Sequence, residues 1–302
     1  MPLTAALPPH QVRIISHFDY VAVDAQRRRL YAAHTGSEAL LVVNADTGAV
    51  IGQVETGAVH GIAVNSATGH VYTGDGETGT VSEVDPKAMT VVNSVDIGRP
   101  IDAIAYDPRT HRIFADEDSG TQVFVVDARS FKLTGRVPIP GHDLEYLAVD
   151  PSRPNLYQNI PDHDEYVVID TNKLVVKKVV RTPELTKDHP LQYDEAYQEV
   201  IVGGKNGVIS AYTVDGVKIG QTSMPPDVDQ CTLDQTAHVL ACAGGTKLWT
   251  VQIVKDAAPR LVDVVDTNHP IHTVGIDPQT HWMWTVWAGP TGDYVQAYKE
   301  RP

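Results

Sequence analysis

A six-residue phrase returns seven times along the chain and sets its pace. The first copy is Asp19 to Asp24 (DYVAVD). The others begin at His60 (HGIAVN), Asp102 (DAIAYD), Glu145 (EYLAVD), His189 (HPLQYD), Asp229 (DQCTLD) and His272 (HTVGID). Successive copies start 40–44 residues apart. A repeat of that length marks a supersecondary unit that cannot bury its own faces and has to stack on copies of itself.

The second unit shows what is being repeated. Residues 61–65 read as a short apolar strand, A, and 66–69 as a turn. Strand B follows at 70–74, a glycine-rich turn at 75–79, strand C at 80–84, a second turn at 85–88, and strand D at 90–96. Short strands separated by Gly, Asp, Thr and Pro make an antiparallel meander. Strand C recurs at 39–43, 122–126, 165–169, 208–212 and 246–251. Seven such sheets stacked around an axis bury one another, which predicts an all-β, seven-bladed β-propeller of four-stranded antiparallel blades. Residues 1–302 are expected to form this single domain. The last unit has a strand B at 282–287 and a strand C at 294–298 but no strand D. The unassigned strand at 11–16 (QVRIIS) is expected to pair with 294–298 and close the ring, which removes two unpaired edges. Residues 182–189 lack alternation and read as an irregular loop.

The succession of Ile-Ala-Val-Asp, Val-Tyr, Val-Ser-Val-Asp and Thr-Gly-Lys-Val phrases, seen here in forms such as IAVN at 62–65, VY at 71–72 and VSEVD at 81–85, resembles the YVTN-type seven-bladed propellers, including YncE-like proteins. The resemblance covers almost the whole chain and implies the propeller fold. It leaves function open, because that superfamily includes binding proteins, lactonases, a metal-dependent antibiotic lyase and cofactor-bearing oxidoreductases. One departure stands out. Simpler members often open strand A with proline or other plain residues, whereas here every copy opens with an acid or a histidine.

In a four-stranded meander the D-to-A and B-to-C connections lie on one face. The first residue of each strand A therefore belongs at the mouth of the central channel. The ring runs Asp19, His60, Asp102, Glu145, His189, Asp229, His272. Serine, asparagine or proline would cap turns equally well, so capping alone does not account for three imidazoles and four carboxylates. Converging on an axis, they point to a metal or acid–base site. The expected ligands of one divalent ion (zinc, iron, manganese, nickel or calcium) are His60, His189 and His272. Glu145, Asp19, Asp102 and Asp229 would complete the site or act as catalytic acids and bases. The demanding step is reach, because strand side chains point mainly toward neighbouring blades. Propeller relatives with metals at the mouth imply a hydrolase acting on a lactone, ester or phosphoester of small size. A metal-dependent lyase and a non-catalytic binding module are the alternatives. A binding face calls for exposed aromatics and arginine, and Trp287 is the main candidate.

Other polar residues sort by face. His34, Asp75, Glu117, His163 and Trp287 lie in B-to-C turns on the side of the ring. His17, His142 and His269 stand just ahead of strand A, and Tyr20 and Tyr146 follow ring positions as donors or packing. His70, His111, His238 and His281 open strand B on the opposite face and read as parts of the repeat, dispensable for activity. Asp24, Asn65, Asp107, Asp150, Asp194, Asp234 and Asp277 end strand A and read as turn residues. No nucleophile elbow, phosphate loop or dinucleotide fingerprint is present. The GGKNG stretch at 203–207 reads as a hairpin turn, since no helix follows it.

The net charge of −14 argues against nucleic-acid and anionic-membrane surfaces, which need basic patches. Residues 1–9 carry no signal-peptide pattern, and no apolar run is long enough to span a bilayer. A cytoplasmic location is expected, and oligomeric state is left open. Cys231 and Cys242 fall on adjacent strands of one hairpin. A bridge is conceivable there, but two buried free thiols are the expectation for a cytoplasmic protein.

Overall fold

Strands of β-branched and small residues, three to nine residues long and mostly separated by Asp-rich turns, build seven sheets in succession. The structure, a computed structural model, describes residues 3–12 and 17–300. Six sheets are four-stranded meanders in which sequence neighbours are spatial neighbours. The A strands are Val21–Asp24, Val59–Val64, Ile101–Asp107, Glu145–Asp150, Asp188–Asp194, Gln230–Asp234 and Val274–Asp277. They line the axis, and contacts pass from each A strand to the next around the ring. B and C strands are buried almost throughout, while D strands such as Thr90–Asp96 alternate toward solvent at the rim. The fold is a seven-bladed β-propeller.

Seven apolar clusters fill the seven gaps between blades. Between blades 1 and 2, for example, Tyr31, Leu40 and Val42 meet Val59, Ile62 and Val71. Between blades 7 and 1, Trp284, Val286 and Val295 meet Phe18, Leu30 and Leu41. Each fully buried Leu, Val or Ile contributes about 1.5–3 kcal/mol. The ring is therefore held by contacts between blades more than by any one sheet.

Closure runs through the last blade. Its own strands are Val274–Asp277, Trp282–Gly289 and Gly292–Glu300, and the outer position is filled by two N-terminal pieces. His10–Val12 pairs antiparallel with Gly292–Glu300 in the register Gln11↔Tyr294. Leu3–Ala5 pairs farther along the same strand, with Leu3 opposite Glu300. The expected closing segment, 11–16, therefore holds at residues 11 and 12. Residues 13–16 of it lie outside the described residues. The sequence reading missed Leu3–Ala5, where a buried Leu3 docks on the cluster between blades 6 and 7.

The free thiols are a correction. Cys231 and Cys242 are direct cross-strand partners, both fully buried, with Cα atoms 4.0 Å apart, and they form a disulfide. Their position as opposite partners in one register of the hairpin brings the two sulfurs within bonding reach. The irregular loop is found at residues 182–187, but it is pinned. Glu184 accepts hydrogen bonds from Ser210 Oγ at 2.7 Å and Tyr212 OH at 2.5 Å, and Leu185 is buried. No helix among the described residues is long and apolar enough to cross a membrane.

Candidate functional site at the channel mouth

The problem of reach is solved by the backbone. Regular A strands would aim alternate side chains into the gaps between blades. Instead, the pairing of A with B slips at the ring residues of four blades. The shifts fall between Val59 and Ile62, Ile101 and Ile104, Glu145 and Leu147, and Asp188 and Leu191. These bulges carry His60, Asp102, Glu145 and His189. A bulge bends its strand and re-aims a side chain, here toward the axis. Asp19, Asp229 and His272 need no bulge, because each stands in the connection just ahead of its strand. In blade 4 the extra residue is Tyr146, with φ at +59°.

All seven ring residues end in contact with a ring neighbour, in two arcs. In the first, His60 Nδ1 lies 3.0 Å from Asp19 Oδ2 and 3.5 Å from Asp102 Oδ1. The ligand atoms of these three residues all fall within 4.8 Å of one another. In the second, His189 Nε2 is 2.6 Å from Asp229 Oδ1 and its Nδ1 is 3.4 Å from Glu145 Oε2. His272 Nδ1 lies 3.9 Å from Asp229 Oδ2, while its Nε2 meets the Phe18 carbonyl at 2.6 Å. The expected trio of ligands, His60, His189 and His272, is thus divided between the arcs. His60 is held by Asp19 and Asp102, and the other two imidazoles turn to Asp229. Among the described residues, the group of three within ligand distance is one imidazole and two carboxylates.

The floor of the mouth is made of residues that the repeat pattern conceals. Tyr20 OH donates to Asp102 Oδ2 at 3.3 Å, and Gln230 Nε2 donates to Asp19 Oδ1 at 2.8 Å. Tyr20 and Tyr146 pack with ring centroids 5.2 Å apart, and Tyr146 OH donates to the Cys231 carbonyl at 2.9 Å. The two tyrosines, from blades 1 and 4, thus join opposite sides of the ring by both packing and hydrogen bonding. Behind Asp102 stands the fully buried Asp116, which accepts the Ala103 N–H at 2.6 Å and the Gln158 side chain at 3.2 Å. Lys205, in the hairpin turn of blade 5, reaches Asp229 Oδ1 at 2.7 Å. A lysine in a B-to-C turn was the available sequence signal for this contact.

Crowding of charge shifts the titrations in consistent directions. Burial pushes the His60 imidazole down, but hydrogen bonds and charge from Asp102 and Asp19 outweigh it and raise its pKa to about 10. Burial lifts the Glu145 carboxyl well above the usual range, and the neighbouring carboxylates Asp102 and Asp116 lift it further. Asp116 is raised by burial and then by Asp102. For Asp229, burial acts upward but is overcome by His189 and Lys205, so its carboxyl is held below the usual range. The mouth therefore sets His60, its pKa raised to about 10, between Asp19 and Asp102, with Glu145, its pKa raised as well, next along the ring.

The remaining candidates lie around this centre or apart from it. Gly76, in the B-to-C turn of blade 2, lies so close to His60 that a Cβ there would stand 2.4 Å from the ring. Asp75 binds the backbone N–H groups of Glu77 and Thr78 in its own turn. Glu117 does the same for Thr121 and pairs with Arg99. His34 forms a fully buried pair with Asp293 at 2.7 Å. Trp287 is not an exposed aromatic: it is buried and stacked on His269 at 3.6 Å. A cavity of about 300 Å³ opens beside it, lined by Phe18, Ile271, His272 and Trp287 among others. On the opposite face, His238 and His281 each bind the terminal Asp of the preceding blade's strand A, at 2.7 and 2.6 Å.

No protein-family model matches the chain. Two curated relatives do, the uncharacterized protein YncE of Salmonella typhi and that of Salmonella typhimurium. Each is 28% identical over 201 residues, 64% of this chain and 56% of the relative's length. Among solved structures, hydrazine synthase of Kuenenia stuttgartiensis aligns at 13% identity and a TM-score of 0.78, covering 95% of this chain and 97% of that one. The Cps50 (Swd1) β-propeller domain of Myceliophteria thermophila aligns at 12% identity and 0.81, covering 99% and 100%. The RRP9 WD40 repeats align at 9% and 0.84, covering 98% and 100%. At such identities these structures speak for the fold alone. The repeat, the seven-bladed ring and the likeness to YncE together fit a YncE-like propeller family.

Proposed function

We propose that the mouth holds a divalent metal ion on Asp19, His60 and Asp102 and uses it to hydrolyse a small ester, lactone or phosphoester. One observation carries the reading: two carboxylates converge on His60 Nδ1, with the ligand atoms of all three residues within 4.8 Å of one another, and they raise the His60 pKa to about 10. A site that holds a proton this strongly favours positive charge at that point, and a cation can replace it. One imidazole and two carboxylates suit zinc, manganese, iron or nickel better than calcium, which prefers oxygen alone. A bound ion supplies an activated water and leaves positions open for substrate.

The protein's own groups complete the chemistry. Glu145, whose hold on its proton is strengthened by burial and by Asp102, would serve as general acid toward the leaving oxygen. Tyr20 and Gln230 orient the two ligand carboxylates, which is the role outer groups play around ligating side chains. Lys205 and His189 neutralise Asp229 and offer donors to a carbonyl or phosphoryl oxygen. The cavity beside His272 and Trp287 would take an apolar portion of the substrate. It also favours a second reading, a non-catalytic ligand-binding propeller. A lyase would use the same metal and the same acid.

Titration calorimetry with zinc or manganese tests the proposal. Binding should release close to one proton, read from buffers of different ionisation enthalpy, and should tighten as pH rises toward 10. Binding without proton release, or with equal strength in Asp102→Asn, would sink it. Ester hydrolysis that depends on the added ion separates the enzyme from the binding module.

The Cys231–Cys242 bridge bears on location, since disulfides persist in oxidising compartments and are rare in the cytosol. It favours an exported protein over the cytoplasmic expectation. Thiol titration of protein denatured straight from cells should find both cysteines blocked; two free thiols would restore that expectation.

A further inference from the structure

We infer that a second, solvent-facing metal site stands on the same face, where the connection from blade 3 to blade 4 meets the B-to-C turn of blade 4, with His142, Asp162 and His163 as ligands. It is independent of the channel mouth. The sequence sets a Gly-His-Asp at 141–143 against an Asp-His-Asp at 162–164. Gly141 permits the approach, because a Cβ there would stand 2.2 Å from Ile160 and about 3.2 Å from Asp162. Asp162 is the fixed point. Its Oδ1 accepts the His142 backbone N–H at 3.3 Å. Its Oδ2 is shared by two imidazoles, His142 Nε2 at 3.1 Å and His163 Nε2 at 3.3 Å.

The far side of each ring carries the argument. His142 Nδ1 lies 3.2 Å from Asp143 Oδ2, and His163 Nδ1 lies 4.0 Å from Glu165 Oε2. Both histidines therefore turn Nε2 toward a common oxygen, and His142 also turns Nδ1 toward a second carboxylate. Ligand histidines are oriented in this way: the carboxylate holds the Nδ1–H and leaves the Nε2 lone pair for the ion. The edge between ligand atoms in a tetrahedral zinc site is about 3.3 Å, given bonds of about 2.0 Å; the two N–O separations at Asp162 match it, whereas the two Nε2 atoms stand more than 4.8 Å apart. Both rings stand about half-exposed, with side-chain exposures of 58% and 47%. Rotation about their side-chain bonds can bring the two Nε2 atoms onto one ion, with water filling the remaining positions. Two imidazoles and one carboxylate suit zinc, and also nickel or copper. An ion here would clip the blade 3 connection to the blade 4 turn through His142, two residues ahead of the buried Leu144 and three ahead of Glu145.

The test is zinc titration of the intact chain, combined with anomalous diffraction at the zinc edge from soaked crystals. The expected result is an anomalous peak within bonding distance of His142, Asp162 and His163. The His142→Ala/His163→Ala double variant should lose one equivalent of zinc, and either single variant should bind that equivalent more than tenfold more weakly. Both side chains are exposed, so the melting temperature of the zinc-free protein should not move. A peak only at the channel mouth, no peak at all, or an unchanged stoichiometry in the double variant overturns the inference. A peak at His142 and His163 with none at the mouth supports it and counts against the mouth metal instead.

Discussion

Imidazole–carboxylate pairs occur on both faces of this propeller, and they are built differently. On the face away from the ring, Asp234 accepts two backbone N–H groups and the Thr236 hydroxyl before it meets His281. Asp194 likewise holds the Tyr197 N–H before it meets His238. The backbone has largely satisfied these carboxylates, and each histidine adds a clasp between blades. At the mouth, Asp19, Asp102 and Asp229 take their hydrogen bonds from side chains: Gln230, Tyr20, Lys205 and the histidines. A carboxylate not committed to a turn keeps lone pairs for something else. The same residue types in the same repeat thus clasp blades on one face and are left available for the proposed chemistry on the other, and the difference lies in what the backbone does around them.

The largest expected contrast is in metal binding. Asp102→Asn should weaken zinc or manganese binding at the mouth at least tenfold, as the loss of a ligand or its orienting group does. His281→Gln should leave it unchanged. Equal losses by calorimetry would break the distinction between the faces.

The next contrast is in pH. His60 has its folded pKa raised from 6.5 to about 10. Its contribution to stability is therefore complete below about pH 6.5 and lost as pH rises through 10. Asp234 runs the other way. Burial acts upward on it, but His281, Thr236 and the Ala237 N–H prevail and lower it. Its contribution is present above the ordinary carboxylate range and lost as acid carries the pH through its lowered value. The difference in melting temperature between wild type and His60→Gln should shrink from pH 6.5 to 10, and that for Asp234→Asn should shrink only in acid. A His60 difference that stays flat to pH 10 would remove the basis of the proposed cation site.

A smaller effect is expected from Gly76→Ala. The added Cβ would displace an imidazole held by Asp19 and Asp102, so metal affinity should fall a few-fold with little change in melting temperature. Unchanged affinity would mean that the His60 position is not critical. Smallest of all, His281→Gln removes a pair whose histidine is 56% exposed. A shift of about 1–2 °C is expected, and a drop several times larger would mark His281 as more than a clasp.

How much of this was legible follows from what a repeat can record. The period and the alternation within each unit located the blades. They also put all seven mouth residues on one face, because strand order in a meander leaves no freedom about which turns share a side. The bulges were not legible. Bulged residues as different as Gly61, Ala103, Tyr146 and Pro190 share no signature, and without the bulges the partners of His60 could not be named. Lys205 was legible as a turn residue, but its reach to the next blade was not. Leu3–Ala5 was missed because three residues carry no alternation to read. For the disulfide, the adjacency of the two cysteine strands was legible, and the register that sets Cys231 directly opposite Cys242 was not.

The closing seam has a further consequence. Leu3 and Glu300 are direct cross-strand partners, so the order in which the blades are written in the polypeptide is one choice among seven. A short peptide joining 300 to 3 would let the chain be reopened at another turn, such as 172–173 between strands C and D of blade 4, and give a circular permutant with the same wheel and a different starting spoke. Such a set would allow each blade in turn to be made last, and so show which spoke the wheel can least afford to wait for.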